Sequence, residues 1–343
     1  MTRPATLHLC HVRNGTLRKS FLAGSWLFAM CNLPTGHESL LLAAMPLERS
    51  ELSPMQQDLL AKGIYNRLAL TNLECCPQTE PVTGMMLHDI ASYNLAARPT
   101  IERRYALGND LGVLAVVPGT AAERAGLLGG DRILSVGSTP TSTLYGNLIR
   151  KKASSARTEA LELWLAKRLQ EGAQKLAVQR QGTTVGITLV APIGCAGHVQ
   201  VEQAGGIDAW SDGRNSVIGA DLLPYLTSDD EVAFVIAHEM SHNLLNQVAA
   251  IKGNLAAPKC LIKVIPLKIS QESKADLIAT IVLRNAGYRP EAGLNVLKKI
   301  TILASKGNTS REQKMKRRQV YLQGILAVGE KNNDRQEKRP PEN

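Results

Sequence analysis

Residues 232–243 read Val-Ala-Phe-Val-Ile-Ala-His238-Glu239-Met-Ser-His242-Asn, a His-Glu-x-x-His written behind an apolar run. On an α-helix, positions i and i+4 share a face, so His238 and His242 can grip one metal ion together. Glu239, one residue on, reaches a metal-bound water rather than the metal. The pattern is that of a zinc hydrolase: two imidazoles hold the ion and a carboxylate takes the proton of water. A helix is written under it. Ser228 can serve as N-cap with Glu231 three residues later, Asp229 and Asp230 place negative charge in the first turn, and no Pro or Gly interrupts 228–252. The run is apolar on nearly all sides, which predicts a buried helix. The plainer alternative is a pair of core histidines satisfied by neighbours.

A catalytic zinc usually takes three protein ligands and leaves a fourth position to water. None of the seven His follows His242, so a downstream ligand is Asp, Glu or Cys. Glu272, in Ile269-Ser-Gln-Glu272-Ser-Lys-Ala-Asp276, is the best candidate. Asp276, again i+4, would accept a hydrogen bond from the free ring nitrogen of a ligating His and fix its tautomer. The alternative for both is a solvated acid paired with Lys274 or Lys268.

These residues, with Arg284-Asn-Ala-Gly287-Tyr288-x-Pro290 and Gly206-Ile-Asp-Ala-Trp210-Ser-Asp-Gly213, resemble the M48 metallopeptidases over about residues 195–305. The resemblance implies a zinc endopeptidase with one Zn2+ per chain, with His238, His242 and Glu272 as ligands and Glu239 as general base. Many members carry a later His near the scissile carbonyl. This chain has none, and Tyr288, Arg311 and Tyr321 are the candidates for that contact.

The chain of 343 residues has ample length for two or three domains. Aromatic content of 4% argues against a base-stacking surface, and no nucleic-acid partner is expected despite a formal charge of +10. Part of that excess sits after residue 305, where ten Lys/Arg face five Asp/Glu. This is a solvated tail, with weak attraction to a membrane surface as the second reading. Arg13, Arg18 and Lys19 precede the apolar run Ser20–Cys31, which is too short to span a bilayer and fits a signal or membrane-anchor segment. A bacterial cell-envelope location, periplasmic or membrane-associated, is therefore expected, with the cytoplasm as alternative. Six Cys lack any zinc-ribbon spacing. In an oxidising compartment Cys75 or Cys76 can pair with Cys195, whereas in the cytosol all stay thiols.

Between 103 and 192 the chain alternates short strands, a short helix ended by Gly126, a helical segment over about 142–171 and a closing hairpin turned at Gln181-Gly182. Val117-Pro-Gly-Thr-Ala-Ala-Glu-Arg-Ala-Gly-Leu127 followed by Gly130-Asp131-Arg-Ile resembles a bacterial protease-associated PDZ domain. That resemblance implies a groove for an extended peptide, with the peptide carboxylate on loop amides at Leu107-Gly108 or Leu111-Gly112-Val113.

The layout expected is a possible signal or anchor at 1–34, an N-terminal helical region packing on the peptidase at 35–102, a PDZ-like domain at 103–192, an M48-like zinc peptidase at 193–328, and a disordered basic tail at 329–343. The fold class is α+β: a mainly helical zincin-like domain with a small sheet, plus a β-rich PDZ-like domain. The function expected is hydrolysis of protein or peptide substrates, with the PDZ-like domain docking or regulating them. The alternative is a peptide-binding adaptor or chaperone whose metal site is not catalytic.

Overall fold

Ser53 and Pro54 start the first helix, α1 (Pro54–Thr71), through a capping box in which the Ser53 N–H donates to Gln56 Oε1 at 2.9 Å. The computed structural model describes residues 48–250, 258–264, 266–304 and 309–337. The candidate signal segment at 1–34 lies outside them. Helix α1 turns Ala61, Ile64, Tyr65 and Leu68 into the larger of two cores. It stops at buried Asn72, whose Nδ2 donates to Leu68 O at 2.9 Å and to Val282 O at 3.0 Å, tying the helix end to the far half of the chain.

After α1 come two strands, β1 (Thr79–Pro81) and β2 (Met85–His88), and a helix, α2 (Arg98–Tyr105). The described part of the region expected to be helical over 35–102 is thus mixed: α1 and Cys75 join the larger core, whereas Met85 belongs to the second. Strand β2 pairs antiparallel with β3 (Leu111–Val116), so the PDZ-type sheet begins at Met85, not at 103. The unit continues with α3 (Ala121–Arg124), β4 (Arg132–Val136), the two-residue β5 (Thr139–Pro140), α4 (Ala156–Gln170), β6 (Gln174–Arg180) and β7 (Thr183–Leu189). The order is β2-β3-β4-β6-β7 with β5 paired to β4, so β2 and β7 are the edges. Gly126, at φ +84°, lets the chain reverse after α3, and Leu127 packs back into the core. Asp131 accepts from the Leu128 N–H at 2.8 Å and pairs with Arg180 at 2.7 Å, which locks that turn to the closing hairpin. Ile133, Leu161, Leu165, Leu176 and Leu189 fill a second, separate core. The helical stretch expected at 142–171 becomes α4 only from Ala156, after two short 3-10 turns.

Strand β8 (Ile193–Cys195) pairs antiparallel with β1. Then β9 (His198–Glu202), β10 (Ala209–Ser211) and β11 (Asn215–Gly219) form a three-stranded sheet in the order β10-β11-β9. Residues 216–219 therefore lie in the central strand, and β10 is an edge. Four helices follow: α5 (Asp229–Ala250), α6 (Gln271–Asn285), α7 (Ala292–Ala304) and α8 (Thr309–Glu337). Helix α8 runs past 329, so the expected disordered tail is helical to Glu337. Cys76 is joined to Cys195 and Cys75 to Cys260, with Cα atoms 5.2 and 5.1 Å apart. The second bridge is not one the spacing suggested. No helix among the described residues is long and apolar enough to cross a membrane.

Candidate metal centre

Helix α5 is anchored at its start by its acids. Glu231 Oε2 accepts from the Thr227 N–H at 2.6 Å and pairs with Lys299 at 2.6 Å, while the Glu231 N–H reaches Ser228 Oγ at 3.3 Å. Asp230 accepts the Arg289 N–H at 2.9 Å, and Asp229 pairs with Arg49 at 2.7 Å. These acids hold the positive end of the helix. Past them, Val232, Ala233, Phe234, Ile236 and Ala237 are all buried, so the helix runs through the core and carries His238 and Glu239 in with it. Asn243 ties the far end to the small sheet, accepting the Gly213 N–H at 2.7 Å.

The i, i+4 spacing brings His238 Nε2 and His242 Nε2 to 3.3 Å. Two nitrogens on a tetrahedral zinc at 2.0–2.1 Å stand about 3.3 Å apart, so the separation is the one such an ion requires. Ser270 caps α6, its Oγ accepting the Ser273 N–H at 3.1 Å, and the first turn delivers Glu272 to the same point. Glu272 Oε2 lies 3.5 Å from His238 Nε2. One donor atom each from His238, His242 and Glu272 falls within 4.8 Å of the others, a set that can hold a metal ion. The buried Oε2 atom of Glu239 has no hydrogen-bond partner, which is costly unless something else satisfies it. A His2Glu donor set with an unpartnered acid beside it fits zinc.

One turn on, Asp276 Oδ1 stands 2.9 Å from His238 Nδ1, leaving Nε2 to face His242 and Glu272. Arg318, from α8, is the residue the sequence reading missed. It donates to Asp276 through Nε at 2.9 Å and Nη2 at 2.7 Å, and its Nη1 lies 3.1 Å from Glu272 Oε2. Both Arg318 and Asp276 are buried. Its signal was its place on the helix: Met315, Arg318, Leu322 and Leu326 share the buried face of α8, so an arginine stands in an apolar row.

The charges are strongly coupled. Burial and Arg318 both disfavour a proton on His238, yet the hydrogen bonds and charges of Asp276 and Glu272 prevail and raise its pKa to about 9. Burial, with His238 beside it, lowers His242 to about 4. Burial pushes the Glu239 carboxyl up to about 7 against the pull of His238. For Glu272 burial is overcome by the His238 hydrogen bond and the Arg318 charge, which lower it to about 2. Arg318 likewise overcomes burial at Asp276 and holds it well below the usual carboxylate range.

Other expected site residues fall elsewhere. Tyr288 lies under Arg67, whose guanidinium carbon is 4.7 Å from the ring centroid. Tyr321 is half-buried on α8, and neither tyrosine lines the cavity at His238 and Glu239. The Arg311 side chain lies outside the described ones. The edge strand beside the site is β10, whose Ala209 lines that cavity.

The peptide-carboxylate loop is corrected. Leu111, Gly112 and Val113 sit in β3, which has a strand on each side, and the Leu111 and Val113 N–H groups already donate to Thr141 Oγ1 and Asp131 O. Leu107 is buried, and the Gly108 N–H is held by the Glu102 carboxylate at 3.0 Å. The edge of this sheet nearest α4 is β2, and a cavity of about 60 Å³ is lined by Gly84, Met85 and Leu87 on that side and by Leu165 and Ala166 of α4. Its remaining wall comes from the other half of the chain, including Tyr65 and Arg214. His88 is buried with Nδ1 2.8 Å from the Tyr93 hydroxyl.

Residues 198–261 match the model of peptidase family M48. Residues 112–151 match that of a PDZ domain. No curated protein matches the chain. Among solved structures, the HtrA3 PDZ domain bound to a phage-derived ligand (FGRWV) is similar at 18% identity, over 34% of this chain and 89% of that one, with a TM-score of 0.24. The M48 match spans all of α5 with His238, Glu239 and His242, and the PDZ match lies in the sheet of the second core. The chain thus joins a segment that matches peptidase family M48 to one that matches a PDZ domain.

Proposed function

We propose that the protein is a zinc-dependent endopeptidase whose PDZ domain docks or regulates its protein substrates. The observation that carries this reading is the convergence of His238, His242 and Glu272 donor atoms within 4.8 Å, beside the buried and unpartnered Oε2 of Glu239. A zinc ion bound there supplies a Lewis acid that acidifies water and polarises a carbonyl. His238, His242 and Glu272 hold it. Asp276 keeps the proton of His238 on Nδ1, so Nε2 offers its lone pair. Arg318 positions both acids by pairing with them. Glu239 accepts the proton of the attacking water and passes it to the leaving amine, and a carboxyl whose pKa burial has brought near neutrality suits both transfers.

Substrate docking has a natural place at β2, the sheet edge next to α4, where an extended peptide can add as a strand. A cell-envelope location agrees with the pairings Cys75–Cys260 and Cys76–Cys195, which need an oxidising compartment. The test is metal analysis of the purified chain with casein hydrolysis, before and after a chelator and on adding zinc back. One zinc per chain and hydrolysis that follows it are expected. Hydrolysis indifferent to the chelator, or a zinc-loaded protein that leaves casein intact, overturns the reading.

A further inference from the structure

Beside the reacting groups lies a cavity of about 40 Å³ with His238, Glu239 and Arg318 at its polar end. Its walls are apolar: Leu222, Phe234, Val296, Leu297, Ile300 and Met315, from the segment after β11 and from α5, α7 and α8. All but Ile300 are nearly inaccessible, at 1–3% exposure. The cavity is half open to solvent, and an apolar recess of this kind suits an apolar group better than water. Arg318 brings no free charge to it, since Asp276 and Glu272 already take its guanidinium. A carboxylate entering here would be desolvated without a free cationic partner.

We infer that this cavity is the enzyme's specificity pocket, taking the aliphatic side chain of a substrate residue that adjoins the scissile bond. The inference rests on the peptidase reading. At about 10–15 Å³ of such volume per water-sized group, the space admits about three or four groups. That is the side chain of Val, Leu, Ile or Met. An aromatic ring, with six or more carbons, exceeds it.

Two positions set the size. Gly293, in the first turn of α7, has no side chain because the Phe234 ring lies against it. A Cβ there would meet Phe234 Cε2 at 2.3 Å. The ring is thereby held back and the space in front of it stays open. Met315 and Ile300 close the pocket from α8 and α7. Neither is among the groups that hold metal or move a proton.

The experiment uses the zinc-loaded full-length chain as wild type, Met315→Ala and Ile300→Ala. Peptides that differ only at the residues flanking one cleavable bond are compared by kcat/KM. In parallel, calorimetry measures binding of leucine, phenylalanine and glycine hydroxamates. The wild type is expected to prefer Leu over Phe by at least about tenfold, as one or two methylene-sized groups decide in an apolar pocket. Each variant is expected to shift the Phe/Leu ratio towards Phe by about tenfold. Ile300 is half-buried, so its variant keeps the test alive where Met315→Ala fails to fold. Equal cleavage next to Leu, Phe and charged residues overturns the pocket and leaves the peptidase standing. Absence of all cleavage, with leucine hydroxamate still bound in preference to phenylalanine and glycine hydroxamates, overturns the peptidase and supports the pocket. Hydroxamates bound alike, or a Phe/Leu ratio unmoved in the folded variants, overturns the pocket.

Discussion

Asp276→Asn separates the two tasks assigned to one carboxylate. The side chain is fully buried, accepts two hydrogen bonds from Arg318 at 2.9 and 2.7 Å, and faces His238 Nδ1 at 2.9 Å. The isosteric amide removes the charge and opens no cavity, so the cost comes from stranding Arg318. Breaking one side of a buried ion pair costs about 3–5 kcal/mol. Glu272 Oε2 stays 3.1 Å from Arg318 Nη1 as a partial counter-charge, which puts the loss near the lower end, about 3 kcal/mol. His238 also loses its anionic acceptor. Loss of such a partner lowers metal affinity about 10–100-fold, or about 1.4–2.7 kcal/mol. The double variant Asp276→Asn/Arg318→Met removes both charges, so it should recover most of the stability and keep the weakened zinc affinity. Urea unfolding of the metal-free proteins reads the first quantity, and zinc competition against a chromophoric chelator reads the second. A single variant as stable as wild type, or a double variant whose zinc affinity returns with its stability, would refute the assigned roles.

Three further outcomes follow from the geometry. His88 is buried with its Nε2 unpartnered, and burial, opposed by Asp89, lowers its pKa to about 4. The unfolded chain then binds this proton first as pH falls, so its contribution is complete above about pH 6.5 and declines by on the order of 3 kcal/mol on reaching pH 4. His88→Gln should flatten that part of the stability profile, and an unchanged acid slope would exclude His88 as its source. The Cys76–Cys195 bridge spans 119 positions, and closing so long a loop contributes about 5 kcal/mol in the chain-entropy model. Cys76→Ser/Cys195→Ser should therefore unfold at clearly lower urea under non-reducing conditions, and equal midpoints would count against the pairing. Glu272→Ala should cut zinc content, and full occupancy in that variant would move the third ligand elsewhere.

Local spacing made the centre of the site legible. His238 and His242, like Glu272 and Asp276, are i, i+4 pairs, and that geometry needs only a helix under each. Arg318 was hidden because Lys314-Met-Lys-Arg-Arg318 reads as a solvated basic run. Its burial arises from docking α8 onto α6, a contact 42 positions away from Asp276. Strand β2 was missed for a related reason: Met85-Met-Leu-His88 does not alternate, and its partner β3 comes only after α2. The turn signals around Pro118-Gly119, Gly126 and Gly130-Asp131 are chemically specific, so that part of the PDZ sheet was readable. The Cys75–Cys260 bridge depends on where the chain after α5 returns, which no local pattern encodes.

The central claim is that Glu239 moves the proton and does not hold the metal. Glu239→Gln, purified beside wild type, should carry one zinc per chain and show no casein hydrolysis above the chelated control. Hydrolysis by that variant at the wild-type rate would contradict the assignment, and so would loss of its zinc.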